Sequence, residues 1–467
     1  MEMLAQLLSN VNNFLYENIL IALLVAVGLF FTFATKFVQI SMIPEGIRTL
    51  MEKKTGDKES VSSFQALMIS TASRVGTGNI AGVATALAAG GPGSIFWMWL
   101  LAIIGGASAF VESTLAQIYK TKDDKGFRGG PAYYIQQALG QRWLGIIFAI
   151  LLIACFAFGF NALQAYNISS AFEYYGQTES AKEIIAIVMG LVLAAVTAYT
   201  IFGGIHRIGI ITSYVVPVMA VGYILLGLYI TIINFELLPS IFKSVFKQAL
   251  DLQALAGGLA GTCVMYGIKR GLFSNEAGMG SAPNAGATAD VSHPVKQGLV
   301  QMISVYIDTL LICTTTAMMI LVYDGFGEGL TGIPLVQQAV KSQVGEFGIH
   351  FIIISILLFA FSSVIGNYSY AESNLKFIKD NKVVLFLFRC SCLVAIVFGS
   401  VASFDVVWDL ADVLMGLMAV VNIVAILLLY RVAIKALNDY KEQKKAGLDP
   451  VFRPKKLGIK NTECWED

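Results

Sequence analysis

Apolar runs of about 20 residues follow one another along nearly the whole chain, and each is long enough to cross a bilayer as a helix. Composition agrees: 56% of the 467 residues are hydrophobic and 13% are charged, whereas a soluble domain carries about a quarter charged residues. Mean hydropathy is +0.71. The sequence therefore predicts an all-α polytopic membrane protein. Its net charge of +1 selects no class of partner. The opening stretch MEMLAQLLSNVNNFLYEN has no positive region ahead of its apolar run, so no cleavable signal peptide is expected.

Eleven crossings are predicted, at about 15–37, 64–89, 93–119, 143–170, 184–203, 209–234, 252–285, 297–323, 347–375, 383–402 and 408–434. An odd number puts the two ends on opposite sides, and the positive-inside rule chooses between the orientations. With the C-terminus cytoplasmic, the inner side holds about 26 of the 32 Lys and Arg, including Lys53, Lys54, Lys58, Lys120, Lys122, Lys125 and Arg128. The outer loops hold Lys182, Lys243, Lys247 and Lys341. The expected orientation is N-terminus outside and C-terminus inside. Residues 436–467 are expected to end a helix and continue as a flexible basic tail that anchors the topology.

Five cysteines, Cys155, Cys263, Cys313, Cys390 and Cys392, lie in apolar spans, and Cys464 lies in the tail. Disulfides are not expected. Cys390 and Cys392 do not share a helix face, and no second pair has zinc spacing. The histidines His206, His293 and His350 fall near membrane edges, and neither HExxH nor GxSxG occurs, so a membrane-embedded enzyme is disfavoured.

The stretch Ser73 to Val83, SRVGTGNIAGV, interrupts the second apolar run with an arginine, three glycines and an asparagine. The seventh run is too long for one straight helix and carries YGIKRGLFSNEAGMGSAP. With the first helix (1–40) set aside, helices 2–6 (60–235) and 7–11 (236–435) form two sets of five, each starting with a glycine-broken helix. Five is odd, so the sets have opposite orientation, the geometry of an inverted repeat. GGPAYYIQQALG and GIPLVQQAV follow the second helix of each set and share Gln-Gln-Ala-aliphatic, Gln136 to Leu139 against Gln337 to Val340. Paired broken helices point to a substrate site at the midplane. The N–H groups that open the second half-helix suit a carboxylate, and the carbonyls that close the first suit a hard cation. Two rivals are weaker. Gly76-x-Gly78-x-x-x-Gly82 lacks the spacing and context of a nucleotide loop. Close helix packing through small residues accounts better for GGLAG (257–261) and GGASA (105–109), but leaves Arg74 and Asn79 unexplained. A channel would repeat one pore lining in several subunits, whereas this chain has paired breaks.

RVGTGNIAGVATALAAGGPGSIFWMWLLAIIG and KRGLFSNEAGMGSAP closely resemble the alanine/glycine:cation symporters, the sodium:alanine symporters of bacteria and archaea. Ser94 departs from the small apolar residue expected there. The resemblance implies a leucine-transporter-type fold in a plasma membrane, with alternating access and no cofactor beyond Na⁺ as coupling ion. It implies Na⁺-coupled uptake of alanine or glycine, with glutamine as main substrate or proton coupling as alternatives. Laid on that fold, the carbonyls of Ala72 and Val75 and the hydroxyls of Ser362 and Ser363 form the Na⁺ site. Asn79 matches a ligand of a second Na⁺ in some members of the fold. The backbone amides of Thr77, Gly78 and Asn79 take the substrate carboxylate. Carbonyls from Gly267 to Gly271 take its ammonium. Asn161 and Gln164 are polar wall candidates, and Phe160, Met265 and Phe273 are apolar ones.

Charges inside spans are functional candidates by default. Arg74, with Glu112, Glu276 or Asp308 as partner, is expected to form either an inner gate or a fixed buried pair. Lys269 and Arg270 are placed at the cytoplasmic exit or at an interface. Arg389 is expected to snorkel. Asp405, Asp409 and Asp412 are expected to flank the outer N-terminus of helix 11.

Overall fold

The computed structural model describes residues 2–52, 61–123, 126–251 and 259–465. Lys53, Lys54, Lys58, Lys125 and the expected start of the seventh span at 252–258 lie outside the described residues. Long helices follow the apolar runs. They are α1 (Gln6–Ala34), α4 (Ser94–Ile118), α6 (Arg142–Tyr175), α7 (Glu179–Ile201), α8 (Gly204–Ile233), α11 (Pro294–Leu321), α13 (Glu346–Ile378), α14 (Lys382–Ser400) and α15 (Phe404–Lys445). Among the described residues, these nine are long and apolar enough to cross a membrane unbroken.

The second and seventh of the expected spans are each split. In the second, Ser62 and Gln65 form a capping box that starts α2 (Ser63–Arg74), and the chain resumes as α3 (Ala81–Gly90). In the seventh, α9 (Leu259–Asn275) stops before Glu276, and α10 (Pro283–Thr288) starts on a proline whose missing N–H is no loss at a helix start. Both Gln-Gln-Ala stretches are amphipathic helices, α5 (Pro131–Leu139) and α12 (Gly332–Val344). Residues 153–160 of α6 and 307–313 of α11 are π-helical, a wider turn found often at functional sites.

Helices α9 and α11 flank α4, and α3 packs on α9; this group carries both breaks. A second group, α6, α13 and α14, packs beside it. The groups meet where α13 crosses α2, so closely that a Cβ on Gly366 would lie 2.7 Å from the Ser73 nitrogen. Asn12 Nδ2 donates to Asp409 Oδ1 (2.7 Å) at the start of α15, whereas residues after α15 pack on the opposite face. These two faces are called the N-side and the C-side below.

The segment after α15 is not the loose tail expected from its basic composition. Phe452 and Ile459 are buried, and Trp465 Nε1 donates to Gln117 O (3.0 Å). His293, at the start of α11, stacks edge-on to Phe452 and Tyr440. Burial pushes His293 down to about 4, despite Asp439 beside it, so the ring is neutral and Nδ1 accepts the Val295 N–H. Arg389 does not simply snorkel either: its Nε donates to Tyr368 OH (2.9 Å), and its guanidinium lies 3.6 Å from Glu372. All six cysteines are free thiols.

Gly399 of α14 lets the α6 backbone approach, since a Cβ there would lie 2.5 Å from Ala162 O. Gly399→Ala should overpack this contact and cost roughly 1–3 kcal/mol, read as a lower thermal midpoint of the detergent-purified protein. An unchanged midpoint would show that α6 and α14 can separate freely.

Candidate functional site

The chain leaves α-helix at Val75 (φ −76°, ψ 83°), passes an extended Gly76 and makes one short turn over Thr77–Asn79. Every residue from Ala72 to Asn79 is buried, so each freed backbone group must find a partner inside the protein. Asn79 Oδ1 accepts the Gly76 N–H (3.0 Å), and Gln164 Oε1 accepts the Thr77 N–H (3.1 Å). The Asn79 N–H closes the turn onto Gly76 O (3.2 Å), and Thr316 Oγ1 donates to Asn79 O (2.7 Å). Asn167 Nδ2 donates to Thr77 Oγ1 (2.8 Å). Two of the three amides proposed for a carboxylate are thus occupied, whereas the Gly78 N–H donates to none of the described residues. Phe273 covers Gly78 closely, leaving no room there for a Cβ.

Ser363 Oγ of α13 lies 3.0 Å from Ala72 O and 3.1 Å from Ser73 O. One hydroxyl proton faces two carbonyls, so the oxygens hold more lone pairs than protons. Such a cluster can hold a hard cation. Ser73 Oγ adds to it, lying 2.9 Å from Glu276 Oε1 and 2.7 Å from Asn367 Oδ1. Ser362 Oγ points elsewhere, donating to Phe359 O (2.9 Å) and facing Met219.

The second break lies at residues 276–282, inside the expected stretch YGIKRGLFSNEAGMGSAP but beyond Gly267 to Gly271. Glu276 (φ 55°), Gly278 (φ 82°) and Gly280 (φ 87°) turn the chain out of the helix. Glu112 of α4 collects the freed donors: Oε1 accepts the Gly278 N–H (3.1 Å), and Oε2 accepts the Gly280 N–H (3.0 Å) and Asn422 Nδ2 (2.8 Å). Ser281 Oγ donates to Glu276 Oε2 (2.6 Å). Gly267 is far from this break. A Cβ on it would lie 2.5 Å from Ser94 O, and Gly271 packs on Met98 and Leu101, so both serve close packing against α4. Since α9 stays helical to Asn275, the carbonyls of 267–271 are not freed by a break. Met265 is partly exposed farther out on α9.

Arg74 is buried but makes no ion pair within 4.0 Å among the described residues. Its Nη1 donates to Gln301 O (3.3 Å), and its Nε and Nη2 have no partner there. Glu112, Glu276 and Asp308 lie within its electrostatic range, each bonded to other groups. Asp308, on the π-helical turn of α11, accepts from Asn79 Nδ2 (2.7 Å), Ser274 Oγ (2.5 Å) and Thr309 Oγ1 (2.9 Å).

Toward the N-side, Lys269 and Arg270 are buried with Asp412 rather than lying at an interface. Arg270 grips Asp412 with both ends of its guanidinium (3.0 and 2.9 Å), and Lys269 Nζ reaches the same carboxylate (2.8 Å). All three are buried. The basic residues therefore sit in the N-side half with Asp412, and Asp412 neutralises them rather than merely flanking a helix start. Arg270 also lies over Trp408 (4.2 Å), whose ring is 5.4 Å from Phe273. Phe273 in turn meets Phe160 (4.7 Å). Asn161 Oδ1 accepts from Asn367 Nδ2 (3.1 Å).

Most of the candidate residues thus converge on one buried region around the two breaks; Gly267, Met265 and the Ser362 hydroxyl do not. Asn167, Ser274, Thr316, Asn367 and Trp408 were not singled out from sequence. Asn161, Gln164 and Asn167 recur at a spacing of three in an apolar helix, a stripe that could have revealed Asn167. Glu112→Ala should strand the Gly278 and Gly280 N–H groups and lower stability by roughly 3 kcal/mol or more. Thermal unfolding in detergent checks this, and a variant as stable as the parent would mean that the second break has another support.

The model of the sodium:alanine symporter family matches residues 1–454. The amino-acid carrier protein AlsT of Bacillus subtilis (strain 168) is 49% identical over 446 residues, covering 95% of this chain and 94% of that one. The probable sodium/glutamine symporter GlnT of the same organism is 49% identical over 467 residues, with 99% and 96% covered. The sodium/alanine symporter AgcS of Methanococcus maripaludis is 37% identical over 454 residues, with 94% and 98% covered. The crystal structure of MhsT in complex with L-phenylalanine shares the fold, with a TM-score of 0.54, 15% identity, and 82% of this chain and 99% of that chain covered. With its paired broken helices and a match along almost its whole length, this chain is a multi-pass membrane protein that belongs to the sodium:alanine symporter family.

Proposed function

We propose that the chain is a secondary active transporter that carries a small neutral amino acid into the cell together with Na⁺, by alternating access. The observation that carries this reading is the oxygen cluster at the first break. Ser363 Oγ and the carbonyls of Ala72 and Ser73 hold one proton between them, beside a Gly78 N–H that is free for a carboxylate. A cation and an amino-acid carboxylate placed there would neutralise one another in a medium where either alone is costly. Val75 O remains a candidate ion ligand, whereas the Ser362 hydroxyl is turned toward Phe359 O and Met219. Thr77, Asn79, Asn161 and Gln164 frame the amino acid, and Phe160, Phe273 and Trp408 pack beside them. Alanine or glycine is the first substrate of this reading, with glutamine as the alternative; relatives are named for alanine and for glutamine.

In this reading eleven crossings form an extra first helix and two inverted five-helix repeats. The C-side, where most Lys and Arg gather, is cytoplasmic. Lys269, Arg270 and Asp412 close the outer path, since α9 and α15 must part there to admit substrate. Arg74 lies on the inner side of the break.

A second reading, proton coupling, rests on Asp308. Its carboxylate accepts only from neutral donors beside Asn79, so a proton could supply the missing positive charge.

Uptake of labelled alanine, glycine and glutamine into proteoliposomes decides between these readings. Uptake that follows a Na⁺ gradient supports Na⁺ symport; uptake indifferent to Na⁺ but driven by a pH gradient supports the Asp308 reading. Ser363→Ala should raise the Na⁺ concentration for half-maximal uptake about tenfold, and an unchanged Na⁺ dependence would remove Ser363 from the ion site. Asp412→Asn leaves two buried cations without their carboxylate and should reduce uptake about tenfold or more; a folded variant with normal uptake would remove the triad from the outer closure.

A further inference from the structure

We infer that residues 446–465 form a latch holding the C-side halves of both broken helices together, and that its release favours opening of the site on that side. The inference rests on the alternating-access reading above. Leaving α15, the segment first binds the linker between α10 and α11. Ser292 Oγ donates to Pro450 O (2.8 Å), and the Phe452 N–H donates to Ser292 O (3.0 Å). Buried Lys296 ties Asp449 (3.1 Å) to Glu52 (2.7 Å).

The segment then reaches α5. Asn461 Nδ2 donates to Gln137 O (2.9 Å), and Gln137 Nε2 donates to Glu463 Oε1 (3.3 Å). Helix α5 is joined to α13 through Tyr133 OH and Ser373 O (3.0 Å), so the segment bridges both helix groups.

Its last contact is the most specific. The Trp465 indole packs on Ala66, Ala289 and Val291 together with Val61. Ala66 belongs to the first turn of α2, and Ala289 follows α10, so one ring seals the place where the two inner half-helices converge. The same place is cross-tied by Asp290 N–H to Val61 O (3.0 Å), by Gln117 Nε2 to Gly286 O and Ala289 O (2.6 and 2.9 Å), and by Lys120 Nζ to Ala289 O (3.0 Å). Lys120 Nζ also lies 4.7 Å from the Trp465 ring. Parting α2 from α10 on the C-side requires the indole to leave.

A nearby cavity of about 50 Å³ provides the reporter. It is lined by Ile69, Asn284, Thr288, Tyr370 and Ser373, at the same junction of α2, α10 and α13. Ser373→Cys is introduced into the parent chain, into Trp465→Ala, into Trp465→Phe and into a chain ended after Ala446. Labelling by a membrane-impermeant maleimide applied to the C-side is compared with chains lacking the new cysteine. Labelling is expected to rise about fivefold in Trp465→Ala and in the shortened chain, and to return toward the parent in Trp465→Phe. Equal labelling in the parent, Trp465→Ala and the shortened chain overturns the latch. If the shortened chain does not fold, Trp465→Ala with a normal size-exclusion profile carries the test alone. A parent that takes up no amino acid with Na⁺ would defeat the symport reading, while the labelling contrast would still judge the latch.

Discussion

Inside a bilayer a backbone N–H without a partner is costly, and the polar chemistry of this protein is arranged around that constraint. Each broken helix frees several such groups. At the first break Asn79 and Gln164 take up N–H groups, and Thr316 donates to the freed carbonyl of Asn79. At the second, the Glu112 carboxylate takes two N–H groups and is steadied by Asn422. Side chains from neighbouring helices thus carry the breaks, and the breaks in turn decide where those helices pack.

The buried charges divide by the same logic. Asp412 answers two basic residues on the N-side, a compact group that α9 and α15 share. Near the breaks the carboxylates of Glu112, Glu276 and Asp308 are held mainly by neutral donors, while Arg74 stands among them without touching any. The N-side group is locked by direct ion pairing. The central group is held by hydrogen bonds that are individually weaker and easier to exchange.

Much of this was legible in the sequence. Apolar run length marked the nine long helices found among the described residues, and Ser73 to Val83 marked the first break at its observed place. Within the second glycine-rich stretch glycine has two uses, so the freed groups fall at 276–282 rather than near Gly267. Gly267 and Gly271 give up a side chain so that α4 can approach, whereas Gly278 and Gly280 adopt positive φ. Only the second use bends a chain, and residue identity does not distinguish them. Lys269, Arg270 and Asp412 are about 140 residues apart in sequence and have no shared pattern; only the fold joins them. The C-terminal segment was misjudged on its basic average, because three apolar residues, Phe452, Ile459 and Trp465, determine its packing.

The π-helical stretch of α6 ends at Phe160, and the amide stripe of Asn161, Gln164 and Asn167 begins at the next residue. A wider turn shifts the register of everything after it. Gln164 and Asn167 both reach Thr77 at the first break, and Asn161 reaches Asn367; a one-residue change of length that the wide turn did not absorb would rotate all three by about 100°. The wide turn at 153–160 therefore helps to set which face of α6 carries its amides toward the breaks, a backbone feature that no single side chain of the site supplies.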